Sequence, residues 1–289
     1  MTDRDDEGRK TARIAPWALL GPGMIFLFFF FFLPLYTLLR MSLSSSESRF
    51  SDPSFTWEWA NYTEAFSQFG EQFFRSFLYA GAATLAALVI AYPLAYVIAF
   101  RGGRWKNLML GLVVVPFFTN FLIRTLAWKT ILGNEGVVVS VLRTVGFLAE
   151  NEGLLRRPIA VIGGLTYNFL PFMVLPIYVA LEKIDPRLVD ASRDLYTNTW
   201  GAFRRVVFPL SLPGVFAGSL LVFIPAAGDF VNSYYLGSTQ TTMIGNVVQN
   251  QFLVQVDYPV AAALSFVFMA IVLAIVTIYA RSLGTEDLI

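Results

Sequence analysis

The chain contains no cysteine and no histidine, and only 14% of its 289 residues are charged. These absences exclude disulfides, thiolate chemistry, haem ligation by Cys or His, His-dependent catalytic triads and most zinc sites. The nucleotide-binding motif GxxxxGK[ST] is also missing, so this chain is not itself a P-loop ATPase. A net charge of +1 gives no indication of a nucleic-acid partner. We therefore predict no catalytic residues, no metal site and no cofactor in this chain.

Apolar residues, by contrast, make up 56% of the sequence. A soluble domain usually carries about 25% charged residues, whereas here the charges stand in short runs between long apolar stretches. Six stretches reach the roughly 20 residues that a membrane-crossing helix needs. They cover about 17–39, 77–100, 108–132, 159–181, 212–236 and 260–280. The sequence thus predicts an all-α polytopic membrane protein with six transmembrane helices and no large soluble domain.

The distribution of lysine and arginine predicts the orientation of these helices. If both termini are cytoplasmic, 13 of the 21 Lys and Arg residues lie inside, six lie outside and two fall within the third span. This asymmetry agrees with the positive-inside rule. We therefore expect cytoplasmic tails at 1–15 and 283–289, a transmembrane domain over 16–282 and a cytoplasmic loop over 182–210.

The loop between the fourth and fifth spans has helical character. Pro186 suits a first helical turn, and the apolar residues after it recur at three- and four-residue spacing. Gly201 permits a turn, and a second, basic segment runs toward Pro209. The pattern favours two short helices that project from the bilayer, although an ordinary cytoplasmic loop also fits the periodicity.

This loop resembles the EAA loop of ABC-importer permeases, E-A-A-x3-G-x9-I-x-L-P. The spacing agrees throughout, with Asp190, Ala191 and Ser192 at the first three positions, Tyr196 at the glycine and Pro209 at the proline. Aspartate replaces glutamate, serine replaces the second alanine, and Tyr196 replaces the glycine that usually lets the two helices turn. The resemblance implies a type I ABC importer permease fold in the cytoplasmic (inner) membrane of a bacterium.

Two further blocks narrow the resemblance. IRTLAW at 123–128 and FIPAAGDF at 223–230 are similar to the first permease subunit of spermidine/putrescine importers. Related permeases for iron, sulfate or phosphonates share much of the scaffold, so these solutes remain alternatives. An ion-coupled secondary transporter would usually have ten or more spans with inverted repeats, and neither is visible. A channel or scaffold subunit is a third possibility.

The resemblance also implies partners and coupling residues. The expected complex has a second homologous permease subunit, two copies of a cytoplasmic ATPase that binds ATP and Mg, and an extracytoplasmic solute-binding protein. The loop is expected to insert into a groove on the ATPase. The residues carried over to this coupling role are Asp190, Ala191, Ser192, Leu195, Tyr196, Gly201 and Pro209.

Asp229 is the clearest charge within a predicted span. A charge facing lipid is costly, and Pro225 and Gly228 are expected to break the helix just before it. A carboxylate beside aromatic rings suits a cationic amine. The candidate substrate pathway therefore comprises Asp229, Tyr234, Tyr235, Trp128 and Asn168. Two alternatives stay open: Asp229 pairs with Arg124 or Lys129, and Asn168 serves helix packing.

Overall fold

Long apolar helices dominate the structure, a computed structural model that describes residues 20–45, 53–149, 152–185, 187–188, 190 and 199–282. Within these residues, five helices are long and apolar enough to cross a membrane, and a sixth crossing results if one bent pair counts as a single span. Both predicted tails, the start of the first span and most of the coupling loop lie outside the described residues.

The described residues form ten helices of six residues or more and one two-stranded hairpin. In chain order they are α1 (Leu20–Ser42), α2 (Ala60–Arg101), α3 (Lys106–Val114), α4 (Phe121–Ile131), α5 (Val137–Thr144), α6 (Pro158–Glu182), α7 (Phe208–Ala227), α8 (Val231–Leu236), α9 (Ile244–Leu253) and α10 (Tyr258–Ser282). Strands β1 (Ser44–Ser45) and β2 (Ser54–Phe55) lie between α1 and α2. A short helical turn at Thr199–Ala202 and a π-helical turn at Phe203–Val207 lead into α7.

Two of these helices differ from the predicted spans. α2 has 42 residues, or about 63 Å at 1.5 Å per residue, which is about twice the thickness of a bilayer core. The sequence predicts only 77–100 as apolar enough to cross, so the first turns of α2 precede the crossing segment. The predicted third span is instead two helical segments, Gly103–Phe118 and Phe121–Ile131, which meet at 94°.

Local sequence explains the sharp bend. Pro116 lies in the first turn of a 3-10 helix, Val115–Phe118, where its missing N–H costs little. Thr119 then adopts an extended conformation, and the side chain of Asn120 accepts a hydrogen bond of 2.9 Å from the N–H of Leu122. An N-cap of this kind starts a new helix, which is why α4 takes its own direction.

The described residues form two compact units. The first comprises residues 20–67, without 46–52, and 251–267. In it, β1 and β2 pair antiparallel with Ser44 opposite Phe55. Asn61 supports the hairpin, because its Nδ2 donates to the carbonyl oxygens of Ser42 and Ser44 at 3.0 and 2.9 Å. Trp57 and Trp59 are exposed.

The second unit comprises the described residues of 68–250 and 268–282. Its core includes a stripe of buried alanines on α2 at three- and four-residue spacing: Ala80, Ala83, Ala87, Ala91 and Ala95. α6 and α7 pack closely, since a Cβ at Gly214 would lie 2.5 Å from the Cβ of Ala180. Small residues at such a crossing let two helix backbones approach.

Candidate functional site

The fifth predicted span is interrupted where the sequence combines proline and glycine. α7 contains Pro225 and ends at Ala227, and Gly228 has the C-terminal cap position with φ −90° and ψ 0°. α8 begins three residues later, at Val231. The backbone is crowded here, because a Cβ at Gly245 would lie 2.5 Å from the carbonyl oxygen of Gly228. The chain therefore runs irregularly between α7 and α8 inside the packed bundle.

Asp229 lies in this interruption and is 8% exposed. Its Oδ1 accepts a hydrogen bond of 2.7 Å from the N–H of Asn232 in the first turn of α8. Three ion pairs join described residues, and none includes Asp229, Arg124 or Lys129. Among the described residues, Asp229 therefore forms no ion pair with Arg124 or Lys129, which was the alternative considered above. Instead, the carboxylate accepts a hydrogen bond from the backbone in the first turn of α8.

A buried polar cluster joins three helices and consists of Asn168, Asn232 and Thr125. The Nδ2 of Asn168 on α6 donates to the Oδ1 of Asn232 on α8 at 2.9 Å and lies 3.2 Å from the Oγ1 of Thr125 on α4. All three side chains are at most 1% exposed. The Oδ1 of Asn168 is buried with no hydrogen-bond partner among the described residues. A directional network of this kind fixes the relative position of the three helices.

Tyr234 and Tyr235 lie in a different environment from Asp229. Their rings stand edge to face, 5.1 Å apart, and Tyr234 is 67% exposed. Both line a polar cavity of about 590 Å³ together with Lys129, Arg156 and Arg157. The Nζ of Lys129 lies 5.9 Å from the centroid of the Tyr235 ring.

Trp128 lines a third region, a cavity of about 280 Å³, where its ring lies 5.2 Å from that of Tyr167. The structure therefore places the five candidate pathway residues in three neighbourhoods. Asp229 and Asn168 are connected through Asn232, the two tyrosines line the polar cavity, and Trp128 lines the smaller cavity with Tyr167.

Part of the loop that is predicted to couple to an ATPase lies within the described residues. Asp190 is helical and exposed, Gly201 is half-buried in the turn before α7, and Pro209 is exposed at the start of α7. The other four carried-over residues, Ala191, Ser192, Leu195 and Tyr196, lie outside the described residues.

Aromatic rings fix the end of this loop to the bundle. Phe203 stacks on Trp200 at 5.3 Å and meets the ring of Tyr92 on α2 edge to face at 5.7 Å. The hydroxyl of Tyr92 is 2.7 Å from the Oγ of Ser211 on α7. Packed side chains therefore connect the end of this loop to α2 and α7.

Sequence reasoning missed several of these residues. Thr125 and Asn232 stand inside or beside the blocks 123–128 and 223–230 that carry the resemblance, but a polar residue in an apolar helix does not reveal its partner. Phe203 and Tyr92 look like ordinary apolar positions. Phe203 lies within the predicted loop and Tyr92 within the predicted second span, and neither position reveals that the two rings meet.

Comparison with known proteins identifies the architecture. Residues 83–283 match the family model described as "Binding-protein-dependent transport system inner membrane component". The "Spermidine/putrescine transport system permease protein PotB" of Haemophilus influenzae is 38% identical over 258 residues, which cover 89% of this chain and 90% of that protein. The protein of the same name in Escherichia coli K12 is 37% identical, covering 88% of this chain and 92% of that one.

A solved structure, a bacterial ABC transporter involved in the import of the acidic polysaccharide alginate, superposes with a TM-score of 0.70. The alignment covers 96% of this chain and 98% of that one at 17% identity, so it bears on the fold alone. The prediction of an all-α polytopic membrane protein with the type I importer permease fold is confirmed. On the family match and the identity to these relatives, the chain belongs to the family of binding-protein-dependent transport system inner membrane components.

Proposed function

We propose that this chain is a transmembrane permease subunit of an ATP-driven importer that carries polyamines, spermidine or putrescine, into the cell. The observation that carries the proposal is the 38% identity to a spermidine/putrescine permease over 90% of that relative's length. Identity at this level over nearly the whole chain supports a shared substrate class as well as a shared fold.

The geometry of the interrupted fifth span supports a cationic substrate. Irregular backbone at membrane depth is tolerated where it borders a cavity or is buried in protein, and such breaks often form transport sites. The break here holds a carboxylate, Asp229, that lacks a cationic partner among the described residues. An ammonium group that reached Asp229 would supply the missing positive charge.

The other components of the transporter follow from the same proposal. A second homologous permease would complete the pathway, two copies of a cytoplasmic ATPase would bind ATP and Mg, and an extracytoplasmic binding protein would deliver the solute. Both termini and the loop over 182–210 would then be cytoplasmic. The aromatic contact between Phe203 and Tyr92 supports a mechanical role for this loop, because it connects the loop end to two membrane helices.

The test is uptake by the complete transporter. Cells lacking other polyamine importers would express this chain with candidate second permease, ATPase and binding-protein subunits, and uptake of labelled spermidine, putrescine, iron and sulfate would be compared. We expect polyamine uptake that stops when the ATPase carries an inactivating substitution. Uptake of iron or sulfate alone would assign a different solute, and uptake driven by a proton gradient without the ATPase would refute the importer mechanism.

A further inference from the structure

The bend between α3 and α4 leaves the Nε of a buried arginine without a hydrogen-bonding partner among the described residues. Arg124, in the first turn of α4, is 7% exposed, and its Nε is buried with no hydrogen-bond acceptor among the described residues. Its guanidinium carbon lies 5.7 Å from the ring centroids of both Phe117 and Phe121. Aromatic faces attract a cation, but they do not supply the oxygen acceptors that a guanidinium can bind.

Arg124 lies at the edge of an aromatic groove, a cavity of about 700 Å³ between the bend, α6 and α7. Five rings line this groove: Phe117, Phe118, Phe121, Phe169 and Phe172. Arg124 also lines the smaller cavity that contains Trp128 and Tyr167. No Asp or Glu is among the residues that line either cavity. The guanidinium thus faces two cavities that no carboxylate of the described residues lines.

The surroundings of Arg124 define what can occupy the groove. Its apolar rim is open, with Phe118 84% exposed and Leu221 50% exposed. Lipid chains would cover these rings but would leave a buried charge unpaired, which is costly at membrane depth. A polyamine is excluded because its ammonium groups and the guanidinium repel each other. An apolar helix with one carboxylate side chain would satisfy both the rings and the charge.

We propose that the aromatic groove receives a transmembrane helix of the second permease subunit and that a carboxylate on this helix pairs with Arg124. An arginine binds a carboxylate through two parallel N–H···O hydrogen bonds. The pair therefore fixes the register of the two subunits as well as their contact. This assignment rests on the proposed function, which supplies the second permease as the partner.

The experiment measures assembly in the absence of substrate. This chain, carrying an affinity tag, would be expressed with the second permease, and the amount of second permease recovered with it would be quantified. Removing one partner of a buried charge pair leaves the other charge unpaired, so we expect Arg124→Glu to lower recovery at least about tenfold. The matched control is Lys129→Glu on the same helix, which lines the polar cavity and not the groove. It should leave recovery unchanged.

Charge reversal in the partner completes the test. Each membrane-embedded Asp or Glu of the second permease would be changed singly to Arg together with Arg124→Glu, and we expect one such change to restore recovery. If Arg124→Glu lowers the amount of this chain in the membrane, Arg124→Gln replaces it, and the partner's carboxylates are then changed to amides.

Undiminished recovery with these variants, or a loss that no partner substitution repairs, overturns the proposal. Failure of the proposed function is a separate outcome. A wild-type complex that assembles through Arg124 but carries no polyamine would refute the substrate and leave the docking site intact.

Discussion

The two ends of the fifth span are held in the bundle by different kinds of interaction. At its start, aromatic rings of Trp200, Phe203 and Tyr92 pack against one another. Beyond its end, hydrogen bonds connect Asp229, Asn232 and Asn168. Ring packing is weakly directional and tolerates small displacements, whereas a buried hydrogen-bond network is costly to distort. We therefore expect the start of the span to tolerate small changes in its packing and the polar residues beyond its end to hold a fixed geometry.

The largest expected effect on transport is for a substitution in the loop that leads into the fifth span. Asp190→Arg reverses an exposed charge in the proposed coupling loop, and we expect ATP hydrolysis in the assembled complex to lose its response to the substrate-loaded binding protein. The protein should remain in the membrane, because Asp190 is exposed and outside the packed core. The measurement is ATPase activity of the reconstituted complex with and without loaded binding protein. A response equal to that of the wild type would contradict the coupling role.

The next effect concerns the charge at the opposite end. Asp229→Asn removes the negative charge but keeps an oxygen that can accept the hydrogen bond from the N–H of Asn232. If the carboxylate contacts the substrate cation, kcat/KM for polyamine uptake should fall about tenfold, the equivalent of about 1.4 kcal/mol. The amount of assembled complex is the control and should not change. Unchanged uptake kinetics would leave Asp229 with only its hydrogen bond to the first turn of α8.

Substitutions of two adjacent glycines on α6 would test the rigidity of the polar cluster. A Cβ at Gly164 would contact Leu236 and lie 2.7 Å from the Oδ1 of Asn232, whereas a Cβ at Gly163 would meet nothing within 4 Å. Gly164→Ala should therefore lower the free energy of unfolding by about 1–3 kcal/mol. Gly163→Ala is the matched control and should not lower it. Thermal denaturation in detergent would compare the two variants. Equal stability would show that the polar cluster can shift to accommodate the added methyl group.

The smallest effect is expected for the contact between α2 and α7. Tyr92→Phe keeps the ring that packs on Phe203 but removes the hydroxyl that lies 2.7 Å from Ser211. The expected loss is about 0.5–1.5 kcal/mol of unfolding free energy, also measured by thermal denaturation. If Tyr92→Phe lowers the free energy of unfolding more than Gly164→Ala does, the comparison between the two ends is wrong. Hydrogen bonding would then dominate at the start of the fifth span as well as beyond its end.

The extent of sequence-based prediction differs between fold and site. The fold class follows from long apolar runs, because burial in a bilayer is a local property of each segment. The bend at Pro116 and Asn120 was missed, since a hydropathy window averages over a change of direction. The predicted pathway residues were chosen by type, and only packing separates buried Asp229 from exposed Tyr234.

The sequence by itself determined the apolar helices, the charge asymmetry that predicts orientation, and the spacing of the coupling loop, because each depends on residues close together in the chain. Tertiary structure decided which polar residues meet. Asn168 is 43 residues from Thr125 and 64 from Asn232, so no local pattern joins them. Packing of α4, α6 and α8 brings the three side chains together, where burial in apolar surroundings favours hydrogen bonds between them.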